Sequence, residues 1–144
     1  MKRPSYLLPL VFVILAFLNA TLSYGHGMSH AGPNGGEIRM PGIFHTEVYL
    51  DSAKVVRTYL LDGDIKNAVT AKSKVSAYVK RDTQKIELSC EVKSDYFGCK
   101  GKDGFELKPG DKVVIQAERQ GQAGVAIYQY PFKYTGRELA SVGK

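Results

Sequence analysis

The chain has little of what would define several other classes of protein. Its longest apolar run, Leu7 to Leu18, has 12 residues, whereas a membrane-spanning helix needs about 20. Its 15 glycines follow no three-residue period, so the chain is not collagen-like. An apolar content of 44% excludes an intrinsically disordered chain. The 144 residues therefore predict one ordinary globular domain.

The motifs of common enzyme classes are also missing. There is no Gly-x-Ser-x-Gly nucleophile motif, and the segment Gly32 to Gly36 lacks the Gly-Lys-Ser/Thr ending of a phosphate-binding loop. The acids Asp62 and Asp64 fall in a predicted turn, and Glu87 and Glu91 fall on an outward strand face. Such acids are ordinarily solvated surface residues rather than acid/base pairs. We therefore predict that the protein is not an enzyme.

The excess of positive charge is small once it is apportioned along the chain. There are 20 Lys and Arg against 14 Asp and Glu, but Lys2 and Arg3 belong to the first segment. The remaining lysines are interleaved with acids. Nucleic acid is therefore not a predicted partner.

The first 25 residues have the plan of a secretory signal peptide. Lys2 and Arg3 precede the apolar run, and small or polar residues follow it. Cleavage is compatible with a position after Gly25, after Ser23 or, less well, after Ala20. We predict an exported protein, periplasmic or secreted, with no membrane attachment after the signal is removed.

The sequence contains two cysteines, Cys90 and Cys99. In an oxidising compartment such a pair is most simply a disulfide, and closing a loop of about ten residues contributes roughly 2.5 to 3 kcal/mol in the chain-entropy model. A metal-binding pair is the alternative. Tetrahedral sites, however, usually have shorter spacing and a second ligand pair, so we predict the disulfide.

Period-two alternation of apolar residues dominates the chain after residue 36. No amphipathic helix of useful length is present. We predict an all-β fold, an antiparallel β-sandwich resembling the immunoglobulin-like type, with a five-stranded barrel as the alternative. The seven predicted strands are Glu37 to Met40, Phe44 to Leu50, Lys54 to Leu61, Lys74 to Lys80, Ile86 to Val92, Lys112 to Arg119 and Val125 to Tyr134.

Two of these strands have distinctive patterns. The strand Phe44 to Leu50 is predicted to be half-buried, with His45, Glu47 and Tyr49 on the face opposite the core. In the last strand, Pro131 predicts an edge position or a bulge, because proline cannot donate to the ladder. The domain plan is a signal peptide at 1–25, a flexible arm and turn at 26–36, the β-domain at 37–135 and a mobile tail at 136–144.

The three histidines all lie between residues 26 and 45, and Met28 lies among them. Imidazole suits copper, zinc and nickel, whereas a thioether favours cuprous copper, so the mixed set favours copper over zinc or nickel. On its strand, His45 shares a face with Glu47, about 6 to 7 Å away. The predicted metal ligands are His26, Met28, His30, His45 and Glu47.

The cleavage position affects this chemistry. Cleavage after Gly25 makes His26 the first residue, whose amine and ring nitrogen chelate one ion. Cleavage after Ser23 gives Tyr24-Gly25-His26, which supplies the square-planar nitrogen set that Cu(II) and Ni(II) prefer. The alternative interpretation is a solvated arm without metal and an exposed strand histidine at position 45.

A family resemblance supports the metal interpretation. Gly32-Pro-Asn-Gly-Gly-Glu-Ile, Phe44-His-Thr-Glu-Val-Tyr-Leu, Thr58-Tyr-Leu-Leu-Asp, Lys66-Asn-Ala-Val and Phe105-Glu-Leu-Lys-Pro-Gly-Asp-Lys resemble small exported domains that begin with a His-rich segment and Gly-Pro-(His or Asn)-Gly-Gly. Such domains occur alone or at the front of periplasmic adaptor subunits of heavy-metal efflux pumps of the resistance-nodulation-division class. The resemblance implies a periplasmic β-sandwich that handles transition metals, with ligands matching His26, His30 and His45. The chain lacks the adaptor's coiled-coil hairpin, lipoyl-like and barrel domains, so it is not a complete adaptor.

The predicted function is therefore periplasmic buffering or delivery of a transition metal, preferably copper. The predicted partners are the metal ion and an envelope efflux or metal-delivery protein. The alternative is a structural or partner-binding envelope module without metal. That alternative depends on the β-edges and on an aromatic stripe formed by Tyr128, Tyr130, Phe132 and Tyr134. Core packing is the favoured explanation of the stripe.

Overall fold

The structure is a computed structural model, and it describes residues 30–136. The predicted signal peptide, arm residues 26–29 and residues 137–144 of the predicted tail lie outside the described residues. Within the described part, no helix is long and apolar enough to cross a membrane.

Eight β-strands make up the regular structure of residues 30–136. They are β1 (Glu37–Arg39), β2 (His45–Leu50), β3 (Val56–Leu61), β4 (Ser73–Arg81), β5 (Gln84–Val92), β6 (Phe97–Lys100), β7 (Lys112–Arg119) and β8 (Gln122–Gln129). All neighbouring strands pair antiparallel, in the order β1-β2-β3-β6-β5-β4-β7-β8. The prediction of an all-β antiparallel fold is confirmed.

The single sheet is nearly closed, because both of its ends approach each other. After β8 the chain returns to β1, where the backbone N–H of Lys133 donates to Glu37 Oε2 at 2.9 Å and that of Gly136 donates to Gly35 O at 2.8 Å. Across the core, the Tyr128 hydroxyl of β8 donates to the Thr46 carbonyl of β2 at 2.9 Å. The sheet thus encloses one core, in a form intermediate between a sandwich and a barrel.

The core is built from the inward residues of the alternating strands. Its fully buried members come from both halves of the sheet and include Val48, Leu60, Val79, Val113, Ile115 and Tyr128. Cys90 of β5 and Cys99 of β6 are directly opposite each other and form a disulfide. The predicted disulfide is therefore confirmed, and its cross-strand position joins β6 to the neighbouring strand.

Three details differ from the sequence predictions. The strand count is eight rather than seven, because β6 was not predicted. The strand β2 is buried on both faces over His45–Tyr49, so the prediction of a half-buried strand was wrong. The last strand begins at Gln122 and ends at Gln129, which leaves Pro131 outside it, after a cis Tyr130–Pro131 peptide bond.

Candidate metal site

Glu47 anchors the loop that carries the Gly-Pro-Asn-Gly-Gly motif. Its carboxylate is fully buried in the middle of β2. Oε1 accepts the backbone N–H of Asn34 at 2.9 Å and that of Gly36 at 2.8 Å, while Oε2 accepts the Asn34 side-chain amide at 2.9 Å. A side chain at Gly32 would overlap the same carboxylate. The motif therefore has glycine where the backbone touches Glu47 and asparagine where two donors are needed.

These bonds define the role of Glu47 in the described structure. A buried carboxylate is costly unless its oxygens accept hydrogen bonds. Both oxygens of Glu47 are used by the loop. Its predicted role as a metal ligand stays a prediction.

His45 lies two residues before Glu47 on the same strand and is 5% exposed. Its Nδ1 lies 3.1 Å from the backbone carbonyl oxygen of Asp62. Because a carbonyl oxygen only accepts hydrogen bonds, Nδ1 is the protonated nitrogen in this contact. In the neutral ring, Nε2 then keeps its lone pair, and an imidazole with this arrangement is the usual form of a metal-binding histidine.

The Asp62 carbonyl is held in place by a compact turn after β3. The Asp62 carboxylate accepts the backbone N–H groups of Lys66 at 2.9 Å and Asp64 at 3.1 Å, and the side-chain amide of Asn67 at 2.6 Å. The bond from the Lys66 backbone, followed by the bonds from Asn67, holds the pKa of Asp62 below its usual value. An ionised side chain therefore organises the loop whose backbone fixes the His45 tautomer.

His30 is the first described residue of the arm, and it is exposed. Its Nδ1 lies 3.2 Å from the neighbouring Ala31 carbonyl oxygen. Two residues later, Gly32 rests against the Glu47 carboxylate. Since His45 and Glu47 are about 6 to 7 Å apart along one face of β2, the base of the arm is anchored close to His45.

The remaining predicted ligands are not placed by the structure. His26 and Met28 lie outside residues 30–136. Within those residues, no group of three or more His, Cys, Asp or Glu side chains is arranged to hold a metal ion. The structure thus brings the base of the arm into contact with Glu47, two residues from His45.

A second small core, which the sequence analysis did not predict, continues along the same face of β2 and β3. The rings of Tyr49 and Tyr59 have centroids 6.2 Å apart, and those of Tyr59 and Tyr96 lie 5.4 Å apart. The guanidinium of Arg57 lies 4.8 Å from the Tyr96 ring centroid and bonds the Asp51 carboxylate at 2.9 Å. Burial, followed by the bond with Tyr49, raises the pKa of the Tyr59 hydroxyl. This aromatic cluster accounts for the burial of Tyr49 on the outer face of β2.

The aromatic stripe near the end of the described chain is largely core. Tyr128 is fully buried, Phe132 is 8% exposed, and their rings meet edge to face with centroids 6.1 Å apart. Tyr130 and Tyr134 are half-buried. The favoured explanation, core packing, is therefore confirmed for Tyr128 and Phe132.

Comparison of the chain with protein-family models, with curated proteins and with solved structures gave no match.

Proposed function

We propose that this protein is an exported, periplasmic transition-metal-binding protein that prefers copper and buffers or delivers the ion. The observation that carries the proposal is the anchoring of the arm. The Gly-Pro-Asn-Gly-Gly loop is fastened to Glu47 by three hydrogen bonds, two residues from His45. A short, His-containing segment is thus fixed at its base beside a histidine whose tautomer is set for coordination.

The proposed ligands are His26, Met28 and His30 from the arm and His45 from β2. Imidazoles with a thioether form a mixed nitrogen and sulfur set, which suits copper better than zinc or nickel. A chain segment loses conformational entropy when it wraps an ion. Anchoring at Glu47 reduces that cost, because the arm's last residues are already ordered.

The proposal is tested by calorimetric titration of the mature protein with Cu(I), Cu(II), Zn(II) and Ni(II). Neutral imidazoles bind metal, and histidine ordinarily titrates near about pH 6.5, so the affinity is expected to fall as the pH drops below that value. A His26→Ala/His30→Ala variant is expected to bind copper at least about tenfold more weakly, whereas Ser29→Ala in the same arm serves as the control. Equal binding by the double variant and the parent would overturn the proposal.

Mass spectrometry of the exported product identifies the first residue of the mature chain. A start at His26 supplies an amine and an imidazole from one residue, and a start at Tyr24 supplies the Tyr24-Gly25-His26 nitrogen set. A start at Thr21 supplies neither arrangement and leaves binding to side chains alone. The coordination geometry seen in copper spectra of the product then distinguishes a start at His26 from a start at Tyr24.

A further inference from the structure

Three lysines lie side by side on the outer face of the sheet, far along the chain from the histidines. Lys80 of β4 is directly opposite Lys85 of β5 on one side and directly opposite Lys112 of β7 on the other. Adjacent strands are about 4.8 Å apart, so three exposed ammonium groups arise from one row that crosses three strands. We call Lys80, Lys85 and Lys112 the lysine row.

The charge of the lysine row is only partly compensated. Lys85 pairs with Glu87 at 2.7 Å and lies 4.4 Å from the Tyr78 ring centroid. Within residues 30–136, neither Lys80 nor Lys112 forms an ion pair. Further along the same face, by contrast, Lys74 of β4 is opposite Glu118 of β7.

Fold stability does not explain this arrangement. Like charges directly opposite each other in a sheet are destabilising. Lysines often protect the edge strands of sheets from pairing with other chains. Lys80 and Lys112 each have a paired strand on both sides, so edge protection accounts only for Lys85, which lies outside the β5–β6 pairing. The lysine row therefore lowers the stability of the sheet locally through charge repulsion. An anionic partner would relieve that repulsion.

An apolar row lies next to the lysine row on the same face. Tyr78 of β4, Val114 of β7 and Ile127 of β8 are in register across three strands. Val114 is only 3% exposed although it faces outward, and Tyr78 and Ile127, which flank it, are half-buried. Tyr78 and Ile127 therefore offer partly exposed apolar area beside the line of cations, and Glu87 of β5 is directly opposite Tyr78.

We propose that this face binds an acidic, extended segment of a partner protein, whose carboxylates pair with Lys80 and Lys112 and whose apolar side chains lie against Tyr78 and Ile127. An anionic bilayer binds more strongly where large apolar side chains insert into it. Of the exposed large apolar residues of the described chain, only Val125 lies near this face, two residues before Ile127, and none belongs to the lysine row. Charge complementarity to a peptide is therefore favoured over a lipid surface.

The test uses the mature protein in the presence of a chelator, so that its outcome is independent of metal binding. The probe is a fluorescent peptide of repeated Glu-Leu-Glu-Val units, and binding is measured by anisotropy at about 50 mM and about 500 mM salt. The Lys80→Gln/Lys112→Gln variant is expected to bind roughly five- to tenfold more weakly at low salt, and the difference is expected to shrink at high salt.

The matched control is Lys72→Gln/Lys74→Gln, which removes the same charge from exposed positions outside the row. It is expected to bind within about twofold of the parent. Since Lys80→Gln/Lys112→Gln also relieves repulsion, the variant is expected to melt no lower than the parent. The proposal would be overturned if both variants weakened binding equally or if the parent did not bind the peptide. Binding of phosphatidylglycerol vesicles without binding of the peptide would also overturn it.

Discussion

Asn34 donates two hydrogen bonds to the Glu47 carboxylate, one to each oxygen, both at 2.9 Å. The two residues are 13 positions apart, so this contact fastens the start of the described chain to the middle of β2. A buried carboxylate is costly unless it is paired or fully hydrogen-bonded. Here backbone and amide donors take the place of a cation, which makes the loop and the strand a single unit.

Replacing Glu47 with Gln tests this unit directly. One carboxylate oxygen becomes an amide nitrogen, so the buried hydrogen bonds lose their charged acceptor and the Asn34 side chain must reorient to keep its bond. We expect the free energy of unfolding to fall by about 1 to 3 kcal/mol, measured by urea denaturation at neutral pH. Glu87→Gln, at an exposed ion pair, is the control and is expected to have no measurable effect. A Glu47→Gln protein as stable as the parent would show that the loop is not held by the charge.

Gly36→Ala tests the close approach of the loop to β2. A Cβ at Gly36 would lie 2.6 Å from the Val48 carbonyl oxygen and 2.9 Å from Glu47 Cγ. Because the nearer obstacle is backbone, we expect a loss of roughly 1 to 3 kcal/mol from overpacking, read from the shift of the denaturation midpoint. At Gly63 the nearest atom to an added Cβ is the Ile43 carbonyl oxygen at 3.6 Å, an ordinary contact. Gly63→Ala is therefore the matched control, and an equal loss in both variants would contradict this explanation.

Local pattern predicted the strands whose alternation is long and whose ends have turn residues. The bounds of β7, Lys112–Arg119, are those predicted, because the Lys108-Pro-Gly-Asp turn precedes the strand. In that turn Gly110 has a φ of 95°, and the Asp111 N–H donates to Lys108 O at 3.0 Å. The strand β6 was missed because it has only four residues and includes Gly98. In so short a segment, an alternation of period two cannot be distinguished from loop composition.

Burial of the outer face of β2 could not be predicted from the strand alone. His45, Glu47 and Tyr49 alternate with apolar residues as exposed residues would, but distant loops cover them. One signal was present: an acid in the middle of a strand follows a segment that contains glycine and asparagine. Such a segment supplies N–H donors without side-chain obstruction, and that is the role Asn34 and Gly36 have in the structure.

Asp111 connects stability to pH. Its carboxylate is 2% exposed and accepts hydrogen bonds from Arg81 Nε at 2.8 Å, from Arg81 Nη2 at 2.7 Å and from the Lys108 backbone N–H at 2.8 Å. The bond to Arg81 holds the pKa of Asp111 below its usual value. The ionised form is thus favoured by folding, so its contribution is complete above the unfolded pKa of about 3.9 and is lost as the pH falls through the lower folded value.

We therefore expect Asp111→Asn to lower the free energy of unfolding by roughly 1 to 3 kcal/mol near neutral pH. The difference between parent and variant is expected to stay constant down to about pH 5 and to shrink at more acidic pH. Denaturant titrations at a series of pH values measure it. A difference that persists unchanged well below about pH 3 would show that the variant acts through packing and not through the Asp111 charge.

Asp62 acts on His45 only through its backbone carbonyl. Its carboxylate gathers the N–H groups of the turn after β3, and its carbonyl accepts the His45 Nδ1 proton at 3.1 Å. Asp62→Ala is expected to loosen this turn, so that His45 no longer favours the Nδ1-protonated tautomer, as seen in nitrogen NMR shifts of the imidazole. If His45 coordinates metal through Nε2, copper affinity is expected to fall by about tenfold or more. Asp64→Ala removes a neighbouring charge that organises no described hydrogen bond and is the control. A retained tautomer in Asp62→Ala would contradict the positioning role of the turn, whereas a changed tautomer with unchanged copper affinity would exclude His45 from the ligand set.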